Sequence, residues 1–235
     1  MRILLIGYGK MGKAIEAAAL GRGNTIAGKV DTREELLNFR GEADVAIEFS
    51  QPDAVVENLK FCFDKKIPVV CGTTGWLEKK SDIEQLCREK GGAFFYSSNY
   101  SLGVNIFFKL NEFLARLMTG RSNYLVSIDE THHTQKKDAP SGTAITLAQG
   151  IMKHNPSKTG WKLNETQNPE DLVIHSFRID PAPGTHTVNY RSVVDDIEIK
   201  HTAHSREGFA QGAVLVAEWL AGKTGVFTMD DFLKF

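Results

Sequence analysis

The first hundred residues alternate short apolar runs with longer amphipathic stretches, the pattern of strands buried on both faces with helices between them. Ile3-Leu4-Leu5-Ile6, closed by Gly7, predicts a first strand. Met11 to Leu20 is alanine-rich and predicts a helix that ends at Gly21 and Gly23. Thr25 to Val30 and Asp44 to Phe49 predict the second and third strands. Pro52 suits the first position of a helix that continues from Ala54 to Asp64. Ile67 to Cys71 predicts a fourth strand, Ser81 to Lys90 a helix, and Ala93 to Tyr96 a fifth strand. Strands and helices alternating at this pitch imply βαβ units in an α/β domain with a doubly wound parallel sheet.

The second half changes character. From Leu102 a helix carries Ile106, Leu110, Phe113, Leu114 and Leu117 on one face, which reads as a core-facing stripe. Tyr124 to Glu130 predicts a strand, and Ser141 to about His154 a helix. Pro156, Pro169, Pro181 and Pro183 punctuate a loop-rich stretch after that helix. Leu172 to Ile179, Thr187 to Val194 and Ile197 to Ala203 predict antiparallel strands. Phe209, Ala213, Val216, Ala217 and Leu220 mark a last helix that packs back on the protein. A second, α+β domain with a mixed or antiparallel sheet is expected to begin near residue 102.

Composition narrows the function classes. The 235 residues suffice for one large domain or two modest ones, and 42% hydrophobic with 24% charged residues is ordinary for a globular chain. With 28 basic and 29 acidic side chains, no net charge draws the protein to nucleic acid or to an anionic membrane. The apolar runs are too short to cross a bilayer. Cys62, Cys71 and Cys87 are odd in number and wrongly spaced for a disulfide framework or a zinc site. The expectation is a cytoplasmic protein. All seven histidines lie at or after His132.

Two places in the chain carry candidate chemistry. Gly7-Tyr8-Gly9-Lys10-Met11-Gly12 is a G-x-G-x-x-G between the first strand and the first helix. There the glycines permit a tight turn, close approach of backbone to a pyrophosphate, and close helix packing, while the helix N-terminus attracts the phosphates. Asp31, nineteen positions after Gly12, stands where a carboxylate accepts the ribose hydroxyls. It disfavours a 2′-phosphate; Lys10, Arg33 and Arg22 offset that, so NADH use with some tolerance of NADPH is expected. Gly72-Thr73-Thr74-Gly75 and Ser97-Ser98-Asn99-Tyr100-Ser101 follow the fourth and fifth strands, where open parallel sheets bind the rest of such a cofactor.

The other place is His132 to Thr143. His132, His133, Lys136 and Lys137 make a local positive field for an anionic small molecule. Asp138-Ala139-Pro140 cannot continue a helix, and Ser141 is a natural N-cap, so Gly142 and Thr143 present free N–H groups to a carboxylate. The imidazoles can deliver a proton near neutrality. No metal is expected, because adjacent histidines point apart and no nearby carboxylate or cysteine completes a ligand set.

These segments resemble the 4-hydroxy-tetrahydrodipicolinate (dihydrodipicolinate) reductase family. The likeness is carried by Glu130-Thr131-His132-His133 and Lys136-x-Asp138-Ala139-Pro140-Ser141-Gly142-Thr143-Ala144, by Gly72 to Gly75, by Ser98 to Ser101, and by His204-Ser205-Arg206 with Phe209 to Ala213. It implies reduction of 4-hydroxy-tetrahydrodipicolinate, a cyclic dicarboxylate, in lysine and diaminopimelate biosynthesis by a homotetramer assembled through the substrate-domain sheets. It implies His132 as proton donor, Lys136 as second catalytic residue, and substrate carboxylates on His133, Ser141, Gly142 and Thr143. Gly7, Tyr8, Gly9, Lys10, Met11, Gly12, Asp31, Gly72, Thr73, Thr74, Ser98, Asn99, Tyr100 and Ser101 would hold the nucleotide. The same likeness implies a Rossmann-type dinucleotide-binding domain of 1–101 plus 207–235, and a substrate-binding and oligomerisation domain of 102–206. The chain departs from the family in a glycine loop one residue shorter, in Asp31-Thr32 for a common Glu-Arg, and in Asp180 for a common glycine. The rival readings are another two-domain NAD-dependent dehydrogenase, such as an aspartate or homoserine dehydrogenase, and a non-catalytic NAD-sensing regulator.

Overall fold

A computed structural model describes residues 1–205 and 207–234; Arg206, in the distal family match, and Phe235, at the expected domain end, lie outside them. The chain divides into two compact units, Met1–Leu102 with Glu207–Phe235, and Gly103–Arg206.

The first unit opens with β1 (Arg2–Ile6), α1 (Lys10–Gly21), β2 (Thr25–Val30), α2 (Arg33–Asn38), β3 (Val45–Glu48), α3 (Pro52–Asp64), β4 (Val69–Cys71), a 3-10 turn at Leu77–Lys79, α4 (Lys80–Glu89) and β5 (Ala93–Tyr96). The second unit continues with α5 (Leu102–Met118), β6 (Leu125–His132), α6 (Gly142–Met152), β7 (Gly160–Leu163), β8 (Asp171–Arg178), β9 (Gly184–Arg191) and β10 (Asp196–Ala203). The chain then returns to the first unit with α7 (Glu207–Leu220), β11 (Gly225–Phe227) and α8 (Met229–Leu233).

The first sheet is parallel throughout, in the order β2-β1-β3-β4-β5-β11. Both of its faces are covered, which is why its strands read as unbroken apolar runs. Ile3, Leu5, Ile47, Val70 and Phe95 face Ile15 and Ala19 of α1 and Ala213, Val216 and Leu220 of α7. Leu4, Ile6, Ala46, Val69 and Phe94 face Val55, Leu59 and Phe63 of α3 and Ile83 and Cys87 of α4. The chain leaves β1 for β2 on one side and returns to β3 on the other, so the switch point lies between β1 and β3, where ligands bind such sheets. The architecture is a Rossmann-type sheet.

The second sheet is mixed, in the order β10-β9-β6-β8-β7. Only β9 and β10 carry the expected antiparallel pairing, with β9 also antiparallel to β6. β8 instead runs parallel to β6 and β7. The physical reason is α6: a helix between β6 and the next strands turns the chain over, the crossover that parallel pairing needs.

The apolar stripe on α5 departs further from the expectation. Ile106, Leu110, Phe113 and Leu117 are about half exposed, whereas Val104, Phe107, Asn111 and Ala115 are buried. Asn111 donates from Nδ2 to the Leu147 carbonyl at 2.9 Å, and Gly150 lies against that amide. The inward face of α5 thus carries a polar tie to α6 that an all-apolar stripe would lack.

Candidate active site

In the first unit the expected nucleotide residues gather at the carboxyl ends of the parallel strands and divide by exposure. Gly7 has φ +89, and an added Cβ there would lie 2.0 Å from the Phe49 carbonyl oxygen. Gly12 is as tight, with its Cβ 2.3 Å from Gly7 O, so α1 seats directly on the turn. At Gly9 a Cβ would meet nothing within 4 Å. Gly9 is the N-cap of α1, gives no side-chain cap, and is followed by a first turn without an acid. Free N–H groups, positive helix potential and open space coincide at one point, which is the fit a pyrophosphate requires.

The exposed Asp31 carboxylate at the end of β2 accepts the Tyr8 backbone N–H, which anchors it to the glycine turn. Sequence reasoning missed two neighbours: the Tyr8 hydroxyl donates to Glu16, and Lys29 pairs with Glu16 at 2.6 Å while lying over the Tyr8 ring. Lys10 is exposed at the start of α1. Of the other cations expected to receive a 2′-phosphate, Arg33 is engaged by Glu57 at 3.1 Å. Arg22 is bound to Glu218 at the far end of α1, about 18 Å along the helix from Gly9.

The other two loops are built by side chains turned inward. Glu48, fully buried, accepts hydrogen bonds from the hydroxyls of Thr73 (2.8 Å) and Ser50, and Thr73 Oγ1 accepts from Ser50 N–H. The Tyr100 hydroxyl donates to the Cys71 carbonyl at 2.7 Å, and burial pushes its phenol well above the ordinary range. Asn99 Oδ1 accepts Ser101 N–H at 2.9 Å. Thr74 and Ser98 are exposed, and Gly72 is half-buried against the Phe49 ring. Thr73 and Tyr100 hold the loops in place, whereas Thr74 and Ser98 stand at the surface.

In the second unit β6 runs two residues further than expected, so Glu130 and His132 share its inward face. His132 is 7% exposed, and its ring meets that of His186 edge-on at 5.0 Å. Glu130 is completely buried and accepts the Ser141 N–H at 3.1 Å on both oxygens and the Ser176 hydroxyl at 2.7 Å. Burial opposes its charge, but the His186 ring, 3.7 Å away, and hydrogen bonds from Ser141 and Ser176 more than offset this and hold the carboxyl well below its usual range. His132 is lowered to about 4, by burial first, then by His186, Lys136 and Arg178, against the opposing pull of Glu130. The unfolded chain therefore binds this proton more readily, so His132 subtracts stability as pH falls from 6.5 towards 4.

The loop after β6 is pinned from β8. Arg178 donates from Nη2 to the Asp138 carbonyl at 2.6 Å and from Nε to the Lys136 carbonyl at 3.3 Å, and its Nη2 lies 3.4 Å from Glu130 Oε1. Asp180 accepts both the N–H and the hydroxyl of Thr134, at 3.1 and 2.6 Å. The Lys136 ammonium donates to both oxygens of Asp138 at 2.8 Å, and this contact lowers the Asp138 carboxyl. Ser141 Oγ caps α6 on Ala144 N–H at 3.2 Å and lies 3.1 Å from His186 Nε2, so this buried side chain builds the helix start. Gly142 is exposed, and Thr143 and His133 are half-buried.

Contrary to the expectation from sequence, a carboxylate does stand with the histidines: ligand-type atoms of Glu130, His132 and His186 lie within 4.8 Å of one another. The Glu130 oxygens are already taken by Ser141 and Ser176, and the Arg178 guanidinium supplies the positive charge a metal ion would bring. Glu130, Ser141 and His186 are linked by close polar contacts within this cluster.

The family profile described as Dihydrodipicolinate reductase, N-terminus, matches residues 1–100, and that described as Dihydrodipicolinate reductase, C-terminus, matches residues 103–233. The 4-hydroxy-tetrahydrodipicolinate reductase of Christiangramia forsetii is 51% identical over 237 residues, covering 100% of this chain and 98% of that protein. The protein of the same name from Methanocaldococcus jannaschii is 34% identical, covering 97% of this chain and 80% of that one. In fold, the dipicolinate-bound dihydrodipicolinate reductase of Paenisporosarcina sp. TG-14 superposes with a TM-score of 0.77 over 97% of each chain, at 22% identity. With both halves matched by its profiles and its full length shared with a relative at 51% identity, the chain belongs to the dihydrodipicolinate reductase family.

Proposed function

We propose that this protein reduces 4-hydroxy-tetrahydrodipicolinate to tetrahydrodipicolinate, with NAD(P)H as reductant and loss of water, in lysine and diaminopimelate biosynthesis. The observation that carries this reading is the arrangement of His132, Lys136 and the open N-terminus of α6 in a chain of this family. The substrate has two carboxylates, and Lys136, His133 and the N–H groups of Gly142 and Thr143 match them in charge and hydrogen bonding. When bound, the nicotinamide supplies the hydride that the ring carbon conjugated with the imine receives. His132, with Lys136 beside it, provides the proton for the adjacent carbanion-like centre. The arriving dicarboxylate adds negative charge near His132 and raises its affinity for the proton it must donate.

Loss of the reduced-nicotinamide absorbance with the product of dihydrodipicolinate synthase, and none with aspartate- or homoserine-derived carbonyls, is the expected assay result. Turnover of the linear carbonyls instead would favour the dehydrogenase reading.

NADH is the preferred reductant in this proposal. Asp31 repels a 2′-phosphate, and Arg33 and Arg22 are paired elsewhere, which leaves Lys10 for a modest NADPH activity. The expected KM for NADPH exceeds that for NADH by about tenfold, since one unfavourable charge contact is worth roughly 1–2 kcal/mol. A lower KM for NADPH would sink this assignment.

The protein assembles as a homotetramer through the open face of the second sheet, which presents Leu125 and Phe177 beside an Asp129 carboxylate engaged by His175 and Asn189. Sedimentation should give four times the chain mass, and Leu125→Glu should lower it. A monomeric wild-type enzyme would refute the assembly.

A further inference from the structure

We propose that Glu130 is a positioning residue for His132. Its carboxylate fixes the imidazole through Nδ1, leaves Nε2 as the proton-donating atom, and balances the charge of the imidazolium. The inference rests on His132 being the proton donor, as proposed above.

Four observations lead there. Glu130 Oε2 lies 3.5 Å from His132 Nδ1, and that buried nitrogen has no hydrogen-bond partner among the described residues, so the carboxylate is the charged group poised to receive its proton. The carboxylate cannot swing away, because Ser141 N–H holds both its oxygens and the Ser176 hydroxyl holds Oε1. On the opposite side of the ring, a Cβ at position 184 would come within 3.1 Å of Nε2; glycine there leaves that nitrogen uncovered. Finally, the groups facing His132 are otherwise neutral or positive, apart from the salt-bridged Asp138: His186 from β9, Arg178 from β8 and Lys136 from the loop. Glu130 is the one anion on the ring's own strand face able to stabilise His132 in its protonated form.

The Glu130 carboxylate lies between the Arg178 guanidinium, 3.4 Å from Oε1, and the His132 ring, 3.5 Å from Oε2, and its neutral isostere glutamine would carry no charge toward either. Only an anion offsets an imidazolium. The same carboxylate also grips Ser141, the N-cap of α6, so it ties the proton donor to the helix start that is to receive a substrate carboxylate.

The test compares kcat across pH 5–9 in wild type, Glu130→Gln and His132→Gln. In Glu130→Gln the alkaline limb of kcat is expected to move down by about one pH unit or more, with kcat at pH 8 reduced at least tenfold. KM for NADH should stay within about twofold of wild type. A Glu130→Gln profile that overlays wild type, in a background where His132→Gln abolishes turnover, overturns the role of Glu130 alone. Full turnover in His132→Gln overturns the donor assignment on which it rests. Should Glu130→Gln fail to fold, nitrogen NMR of the wild-type enzyme reads the tautomer directly, with His132→Gln identifying the resonances. Protonated Nδ1 in the neutral ring supports the proposal; the Nε2–H tautomer overturns it.

Discussion

Replacing His132 by glutamine is expected to lower kcat by about two to four orders of magnitude, the usual contribution of a positioned general acid. That corresponds to roughly 3–5 kcal/mol of transition-state stabilisation. KM for the substrate should change little, because the groups proposed to hold its carboxylates, on Lys136 and at the start of α6, are left in place. A fall in kcat at constant KM identifies an interaction made in the transition state only. Glutamine fits the space between Glu130, His186 and the Gly184 backbone and retains hydrogen-bonding capacity, so circular dichroism and NADH affinity should match wild type. Unimpaired turnover in this variant would remove His132 from the reaction.

The second large effect separates building from binding at the glycine turn. Gly7→Ala places a methyl group 2.0 Å from the Phe49 carbonyl oxygen in a backbone with φ +89, and neither fault can be relieved by a rotamer. A left-handed backbone and an overpacked contact together cost about 2–5 kcal/mol, or on the order of 10 °C in melting temperature for a chain of this size. Gly9→Ala, two positions on, meets nothing within 4 Å and should melt with wild type. Its methyl group instead fills the space above the free N–H groups of α1, so NADH affinity should fall tenfold or more, about 1.4 kcal/mol. Titration of NADH fluorescence and a thermal melt on both variants decide the matter. Unchanged NADH affinity in Gly9→Ala would place the dinucleotide elsewhere.

The first unit was largely legible because its information is local. A strand covered on both faces is apolar throughout, and a glycine turn before a helix can be read residue by residue. Short elements with little periodicity escaped: α2, of six residues, and β7 and β11, of four and three. Periodicity misled at α5, where the larger apolar side chains lie on the outward face and Asn111 and Ala115 point inward. Apolar spacing reports a face but does not say which partner it meets. The proposed site was half legible: His132 and Lys136 stand in one short string, but His186, Arg178 and Ser176 arrive from other strands. Extending β6 by two residues would have placed Glu130 beside His132 on one face, since strand residues two apart point the same way. Asp180 in place of a common family glycine marked a changed turn; its grip on Thr134 could be learned only in three dimensions.

The return of α7 to the first unit bears on how the protein is made. Ala210, Ala213, Val214, Val216, Ala217 and Leu220 share with α1 the covering of one side of a sheet whose first five strands are complete by Tyr96. At ordinary translation rates, on the order of ten seconds pass before those residues leave the ribosome. Throughout that interval Ile3, Leu5, Ile47, Val70 and Phe95 have α1 on this side of the sheet but lack the α7 part of their cover. The nascent chain spends this time with apolar sheet surface open to water, the condition that favours aggregation before the fold is complete.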